Sequence, residues 1–272
     1  MADGSAGMKY ERAAESTVVR ISPDRLGVSA VAIARYAGGT RSSRRALEAP
    51  RLAAALASAS RLVRPAFVYS VHGVEGMAGD VRLESAETAG MSPCVQEATV
   101  MAIAVCVCTL GGMLEQAERR LMSSGKGADG LLLDAAGVAF LDVVSVRAWD
   151  RLRRAAEQRG LHCSRRFGPG YGGLELSVQA QLFRLVDASC IGVRLNESCV
   201  MVPGKSLSFF TRWTVAQPSP AGLNKCTHCD LTDCLYRCER PTPCQDSRAW
   251  AEVGTASTGR AIGRHSRTGG II

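Results

Sequence analysis

The richest polar chemistry in the chain lies within residues 166–213. Arg166 opens this stretch with a planar guanidinium, which can hold a carboxylate through two charge-assisted hydrogen bonds. Glycines then flank Tyr171, so the backbone is open to close approach and the ring offers a π face to a cation. Glu197 and Ser198 follow at the end of a predicted strand. This combination indicates a binding site for a zwitterionic or cationic small molecule.

A second group of reactive side chains lies near the C-terminus, where five cysteines and His228 fall close together. Thiolates at such spacing can converge on one ion, so the segment predicts a zinc or iron–sulfur site. Free or oxidised thiols are the alternative. Zinc would act as a structural clip, whereas an iron–sulfur cluster could carry an electron. The predicted metal ligands are Cys226, Cys229, Cys234, Cys238 and Cys244.

Two carboxylates fall in the longest helical pattern of the chain, residues 129–158. Its first half is apolar nearly all round, which predicts a helix through the centre of the domain. Asp134 and Asp142 lie about 80° apart on such a helix, so they can share one broad face. Buried carboxylates are costly unless paired, which makes both candidates for ligand or ion-pair contacts. The alternative places Asp134 at the favourable helix N-terminus and pairs Asp142 with a surface arginine.

The elements that must position these residues form a mixed helix and strand pattern. Helical spacing of apolar residues, with Ser177 as the N-cap of the last, predicts helices over residues 24–36, 46–63, 113–122 and 177–187. Period-two or continuous apolar patterns predict strands over residues 17–21, 65–74, 100–107, 191–196 and part of 201–210. We expect residues 65–74 to form a half-buried strand, and residues 100–107 to be covered on both faces.

Composition and charge exclude several other classes of function. The net charge is +8, but aromatic residues make up only 5%, which leaves few rings to stack on bases. We therefore expect no nucleic-acid partner. The longest uncharged run, residues 98–114, is shorter than a membrane-spanning helix needs, so we expect no membrane partner. Asp3 and Glu11 interrupt any signal peptide, which favours a cytoplasmic protein whose eleven cysteines serve metal or redox chemistry.

Three motifs, in this order, resemble the reductive activation domain of cobalamin-dependent methionine synthase. They are Arg166-x-x-x-Gly170-Tyr171, Ile-Gly-Val-Arg-Leu-Asn-Glu-Ser at 191–198, and Met-Val-Pro-Gly-Lys-Ser-Leu-Ser at 201–208. The preceding strand, glycine turn and Leu-Asp-Ala-Ala-Gly helix are similar to small stand-alone relatives of that domain. The resemblance covers residues 65–213 well and the first 60 residues loosely. It implies an α+β fold in which helices pack on an antiparallel central sheet.

The resemblance also implies a ligand, S-adenosylmethionine, whose methyl group re-methylates a cobalamin after one-electron reduction. By motif, Arg166 would hold the carboxylate of the methionine part. The backbone that follows, through Phe167 and Gly170, would face the adenosine part. Tyr171 would lie toward the corrin, as the residue nearest the chemistry.

Three further residues acquire a role from the same resemblance. Glu197 and Ser198 match the family's Glu-Ser pair, either as ligand contacts or as a brace for their turn. Asp142 falls where the family's helix supplies a carboxylate for the amino group of the ligand. Two positions depart from the family pattern. Asn196 replaces the usual threonine, and Phe209-Phe210 stand where a glycine is common.

The sequence lacks the Asp-x-His-x-x-Gly pattern that ligates cobalt, as well as recognisable homocysteine, folate and cobalamin domains. The resemblance therefore implies reductive methylation of cobalamin on a separate corrinoid methyltransferase of the methionine synthase type. A flavoprotein or a ferredoxin would be the electron donor. The alternative is a non-catalytic binding or docking module whose tail is clipped by zinc or an iron–sulfur cluster.

Shifts in composition divide the chain into five predicted segments. Proline and glycine mark the linker, and the last segment is rich in Gly, Ser, Thr and Arg, which is typical of disorder. The segments are a flexible leader (1–16), an activation-domain-like α+β domain (17–214), a linker (215–225), a cysteine-rich metal-binding segment (226–244) and a disordered tail (245–272).

Overall fold

A five-stranded antiparallel sheet forms the centre of the protein. The computed structural model describes residues 15–38, 49–73, 100–171 and 174–217. The strands are β1 (Thr17–Arg20), β2 (Ala66–Gly73), β3 (Val100–Thr109), β4 (His162–Cys163), β5 (Arg194–Leu195), β6 (Met201–Val202) and β7 (Ser206–Thr214). The central sheet has the order β1-β2-β3-β7-β4, and β5 pairs with β6 in a separate hairpin. All neighbouring strands are antiparallel, so the predicted sheet type is confirmed.

In the described part of the chain, five α-helices surround this sheet. They are α1 (Ala30–Tyr36), α2 (Ala49–Leu62), α3 (Met113–Ser123), α4 (Gly127–Glu157) and α5 (Val178–Leu185). The 31-residue helix α4 packs against α1, α2 and α3 as well as against the sheet, which confirms its predicted central position. None of the helices in the described ranges combines the length and the apolar character that crossing a membrane requires.

The sheet is covered on both faces. On one face, helices α1, α2 and α4 enclose a core that includes Phe140 and Trp213. On the other face, α5 covers a second cluster around Phe210. The prediction of a half-buried strand at residues 65–74 was therefore wrong. Residues 66–70 are all buried, because the side chains that point away from the first core enter the second.

The single helix predicted over residues 24–36 is broken into two pieces. A 3-10 turn, Pro23–Arg25, comes first, and α1 begins only at Ala30. Gly27 adopts a φ of 65° between them, a left-handed conformation that ends a right-handed helix. Ser29 then caps α1 by accepting a hydrogen bond from the Ala32 amide.

The strand predicted after α5 was also wrong, and the predicted N-cap of α5 was confirmed only in its position. The pattern at 191–196 predicted a continuous strand, but Ile191 belongs to the 3-10 helix Ala188–Ile191. Gly192 follows with a φ of 73°, so the extended backbone begins only at β5. Ser177 occupies the predicted N-cap position of α5, but its hydroxyl makes no capping hydrogen bond and donates to the Glu175 carboxylate instead.

The predicted segment boundaries fall mostly beyond these elements. The leader before residue 15, most of the linker, the cysteine-rich segment and the tail all lie outside the described residues. Their boundaries stay predictions.

The packing of α4 predicts a large effect of one core substitution. Leu152→Ala should lower the free energy of unfolding by about 2 to 5 kcal/mol, because Leu152 is fully buried and the truncation leaves a cavity. Arg151→Ala, at the exposed neighbouring position, should change it by less than about 0.5 kcal/mol. Urea denaturation followed by circular dichroism measures both. Equal midpoints for the two variants would contradict the central position of α4.

Candidate functional site

The segment that carries Arg166 continues β4 along the edge of the sheet, beside β7. Ser164 donates a backbone hydrogen bond of 2.8 Å to the Arg212 carbonyl, and its hydroxyl accepts one of 2.9 Å from the Arg212 amide. Phe167 exchanges two backbone hydrogen bonds of 2.9 Å with Phe210. This antiparallel pairing extends β4, so the backbone is fixed on both sides of Arg166.

Side chains in this extended segment alternate between the two faces of the sheet. Phe167 stacks on Phe210 with ring centroids 5.2 Å apart, in the core beneath α5. The guanidinium carbons of Arg165 and Arg212 lie 4.2 and 5.0 Å from the centre of the Phe167 ring. Burial lowers the pKa of Arg165, and that of Arg212 to about 10. The ring of Phe167 is therefore part of the core, and Arg166 points to the opposite face.

Helix α4 holds this segment at two points on that opposite face. The Trp149 indole donates a 2.9 Å hydrogen bond to the Ser164 carbonyl. One turn earlier along the helix, the Ser145 hydroxyl accepts a short hydrogen bond from the Arg166 guanidinium. The same hydroxyl donates a 2.7 Å hydrogen bond to the main-chain carbonyl of Asp142. Ser145 is almost fully buried. It connects Arg166, which is predicted to bind a carboxylate, with the main chain of Asp142, which is predicted to bind an amino group.

Arg166 is half-buried, and its guanidinium carbon lies 5.8 Å from the centre of the Phe209 ring. Within the described residues, its hydrogen-bond partner is a hydroxyl, and no carboxylate pairs with it. The nearby Cys106 thiol is neutral, because burial raises its pKa well above the usual value. The guanidinium therefore has several donors available for an anionic group.

The two aspartates of α4 belong to different clusters. The Asp142 carboxylate accepts a 3.0 Å hydrogen bond from the Tyr36 hydroxyl at the end of α1. The Asp134 carboxylate forms an ion pair with the Lys205 ammonium, at the start of β7. The structure thus brings Asp142 close to Arg166 through Ser145, but it gives Asp134 a partner of its own. The surface arginine considered for Asp142 is replaced by Tyr36.

Gly170 and Tyr171 lie at the surface beyond Arg166. Gly170 adopts a φ of 84°, which favours glycine, and its amide donates a 2.7 Å hydrogen bond to the Leu174 carbonyl. Tyr171 is 80% exposed. Its ring lies over Gly168, where an added Cβ would be 3.5 Å from the Tyr171 ring carbon Cδ2. A large aromatic face is therefore presented to solvent beside open backbone.

Glu197 and Ser198 lie exposed at the tip of the β5–β6 hairpin. Asn196 braces this tip, since its side-chain oxygen accepts hydrogen bonds from the amides of Ser198 (3.0 Å) and Val200 (2.8 Å). An asparagine can thus hold the turn at the position where the family usually has threonine. In the described part of the chain, neither Glu197 nor Ser198 hydrogen-bonds to Arg166 or Tyr171. Their role as ligand contacts stays a prediction.

Gln179 connects the same tip to the central sheet. This almost fully buried side chain donates to the Cys199 carbonyl and accepts a 3.0 Å hydrogen bond from the Ser208 hydroxyl. Sequence reasoning missed Gln179, as it missed Tyr36, Ser145 and Trp149. None of these positions carries a local signal, because each is defined by a partner distant in sequence.

A second polar cluster surrounds Lys205, within the motif at 201–208. The Lys205 ammonium pairs with Asp134 and lies 4.0 Å from the Glu118 carboxylate, while its backbone amide donates to Glu115. Burial is the main reason that the pKa of Glu118 is raised to about 7, and neighbouring Asp134 and Glu115 add to the effect. Through these contacts of Lys205, the cluster fastens β7 to α3 and α4.

The predicted metal site cannot be placed in the fold. Cys226, Cys229, Cys234, Cys238 and Cys244 lie outside the described residues. Among the residues that the structure does describe, no group of three or more His, Cys, Asp or Glu side chains is arranged to hold a metal ion.

The fold defines an α+β domain in which an antiparallel sheet is sandwiched between a long central helix and a smaller helical layer. A crystal structure of the MetH reactivation domain bound to AdoHcy has a similar fold, with a TM-score of 0.52. The match covers 78% of this chain and 84% of that chain at 15% identity. It confirms the fold that the motifs imply. No family model and no curated protein sequence matches the chain.

The raised pKa of Glu118 predicts a dependence of stability on pH. The unfolded side chain releases its proton near pH 4.5 and the folded one near pH 7, so stability is lost as pH rises through this window. Glu118→Gln cannot ionise. Its unfolding free energy relative to the wild type should therefore increase by on the order of 1 kcal/mol between pH 4.5 and 8, after allowance for solvent screening.

Thermal denaturation at several pH values measures this difference. Glu175→Gln, the same substitution at an exposed carboxylate, is the matched control. A Glu118→Gln variant whose relative stability is the same at pH 4.5 and pH 8 would contradict the proposed cause of the pKa shift.

Proposed function

We propose that this protein binds S-adenosylmethionine and supports reductive methylation of cobalamin on a separate corrinoid methyltransferase of the methionine synthase type. The observation that carries the proposal is the connection of Arg166 to Asp142 through Ser145. It occurs in a fold that, in the MetH reactivation domain, was crystallised with AdoHcy. That likeness supports the fold, and the side chains of Arg166 and Asp142 support the choice of ligand.

The two charges fit the amino-acid end of the ligand. Arg166 offers donors to a carboxylate, and the Asp142 carboxylate accepts hydrogen bonds from an ammonium group. Ser145 bonds through one hydroxyl to the Arg166 guanidinium and to the main-chain carbonyl of Asp142, so the two residues are neighbours before ligand binds. Within the described residues, neither Arg166 nor Asp142 forms an ion pair, since their side-chain partners are hydroxyl groups. A zwitterionic α-amino acid end satisfies both.

The surface beyond Arg166 fits the rest of the ligand and a partner protein. Gly170 leaves the backbone accessible, and the Tyr171 ring supplies a π face that attracts a sulfonium cation. When bound, S-adenosylmethionine supplies an electrophilic methyl group, and the exposed position of Tyr171 keeps that side open to a corrinoid protein. The electron would come from a flavoprotein or a ferredoxin.

Replacement of Arg166 tests the proposed ligand. Arg166→Ala should weaken binding of S-adenosylmethionine at least about 100-fold, because it removes the charged donor to the carboxylate. Arg194→Ala, at an exposed arginine on β5, should bind as the wild type does. Isothermal titration calorimetry measures both, and thermal denaturation verifies that each variant is folded. Similar affinities for the wild type and folded Arg166→Ala would overturn the assignment of the site.

The cysteine-rich segment has its own test. We propose that it binds zinc or an iron–sulfur cluster, so protein purified without oxygen should contain stoichiometric zinc or iron. Cys229→Ser should lower the metal content, whereas Cys190→Ser, at an exposed cysteine outside the segment, should not. A brown colour that dithionite bleaches would favour electron transfer, and colourless zinc protein would favour the docking alternative. Metal-free wild type would contradict a metal site.

A further inference from the structure

Tyr36 is a residue that the proposed function has not yet used. It is the last residue of α1, and its hydroxyl donates a 3.0 Å hydrogen bond to Oδ2 of Asp142. The two residues are 106 positions apart in sequence and both are half-buried. Helix α1 packs directly on α4, with Ile33 fully buried between the helix and the core. The hydroxyl is therefore carried by a rigid element.

The contacts of Asp142 are fixed at both its main chain and its side chain. Ser145 holds the main-chain carbonyl, and Tyr36 holds one side-chain oxygen. A carboxylate has about four sites that accept hydrogen bonds, so one bond from Tyr36 leaves Oδ1 and part of Oδ2 available. The side chain has thus lost rotamer freedom before a ligand arrives. When a side chain is instead ordered only on binding, the loss of its rotamer freedom lowers the affinity.

We propose that Tyr36 is a positioning residue that holds the Asp142 carboxylate in place for the ammonium group of the ligand. This inference rests on the proposed function and adds a residue from the first helix to the site. Tyr36 acts through the Asp142 carboxylate, while Ser145 links the main chain of Asp142 to the Arg166 guanidinium. A ligand with both an ammonium group and a carboxylate would use both residues.

The chemistry of Tyr36 allows a narrow test. Its ring packs against the main core, and Tyr36→Phe keeps that ring while removing the hydroxyl. The variant should weaken binding of S-adenosylmethionine about five-fold, the effect of one hydrogen bond. Binding of 5′-methylthioadenosine, which has the adenosine part but no amino-acid end, should be unchanged. Tyr69→Phe, at a tyrosine of β2 on the same core, is the matched control and should leave both affinities unchanged.

A double-mutant cycle separates positioning from simple packing. Asp142→Ala should weaken S-adenosylmethionine binding more than Tyr36→Phe does. Adding Tyr36→Phe to Asp142→Ala should then have no further effect, because the hydroxyl has lost the group through which it acts. Calorimetric titration of the full-length chain with both ligands gives all the affinities.

The outcomes distinguish this inference from the function on which it rests. The inference is overturned if Tyr36→Phe binds S-adenosylmethionine as tightly as the wild type does, while Arg166→Ala loses it. Additive effects in the cycle, or equal losses for the two ligands, also overturn it, because either result indicates a general structural role. A folded wild type that binds no S-adenosylmethionine overturns the proposed function together with this inference.

Discussion

The packing of α4 against one face of the antiparallel sheet is the constraint on which the proposed site depends. Trp149 and Ser145 reach from this helix to the segment beside β7, while backbone pairing with β7 holds that segment from the other side. Arg166 is therefore anchored through both its main chain and its side chain. Movement of α4 relative to the sheet would change the separation of Arg166 from Asp142.

Two polar clusters along α4 show how the same types of side chain serve different ends. Around Lys205, the ammonium group forms an ion pair with Asp134 and lies near Glu118, so this cluster joins three elements. Around Ser145, the opposite charges of Arg166 and Asp142 are held by neutral hydroxyls instead. Half-buried charges without charged partners are costly, so their presence favours a role in binding over one in stability.

Parts of the site that depend on local order could be predicted from the sequence. Gly170 and Tyr171 follow Arg166 at a fixed spacing. The apolar pattern of α4 predicted its central position, and Asp142 within that pattern was predicted as a candidate ligand contact. The hydroxyls that hold these residues were missed, since a serine within a helix or a tyrosine at its end has many ordinary roles. Their partners lie on other elements, so no spacing in the chain reveals them.

The sequence by itself determined the mixture of helices and strands and the motif around Arg166, because periodicity and glycine placement act over a few neighbouring residues. The antiparallel sheet was implied by the resemblance of the motifs to a known domain. Only the tertiary structure decided that β2 is buried on both faces, that residues 191–196 are not one strand, and that Asp134 and Asp142 serve different clusters. These outcomes depend on which elements pack together. Tyr36 reaches Asp142 across 106 positions for the same reason, since the contact exists only where α1 lies on α4.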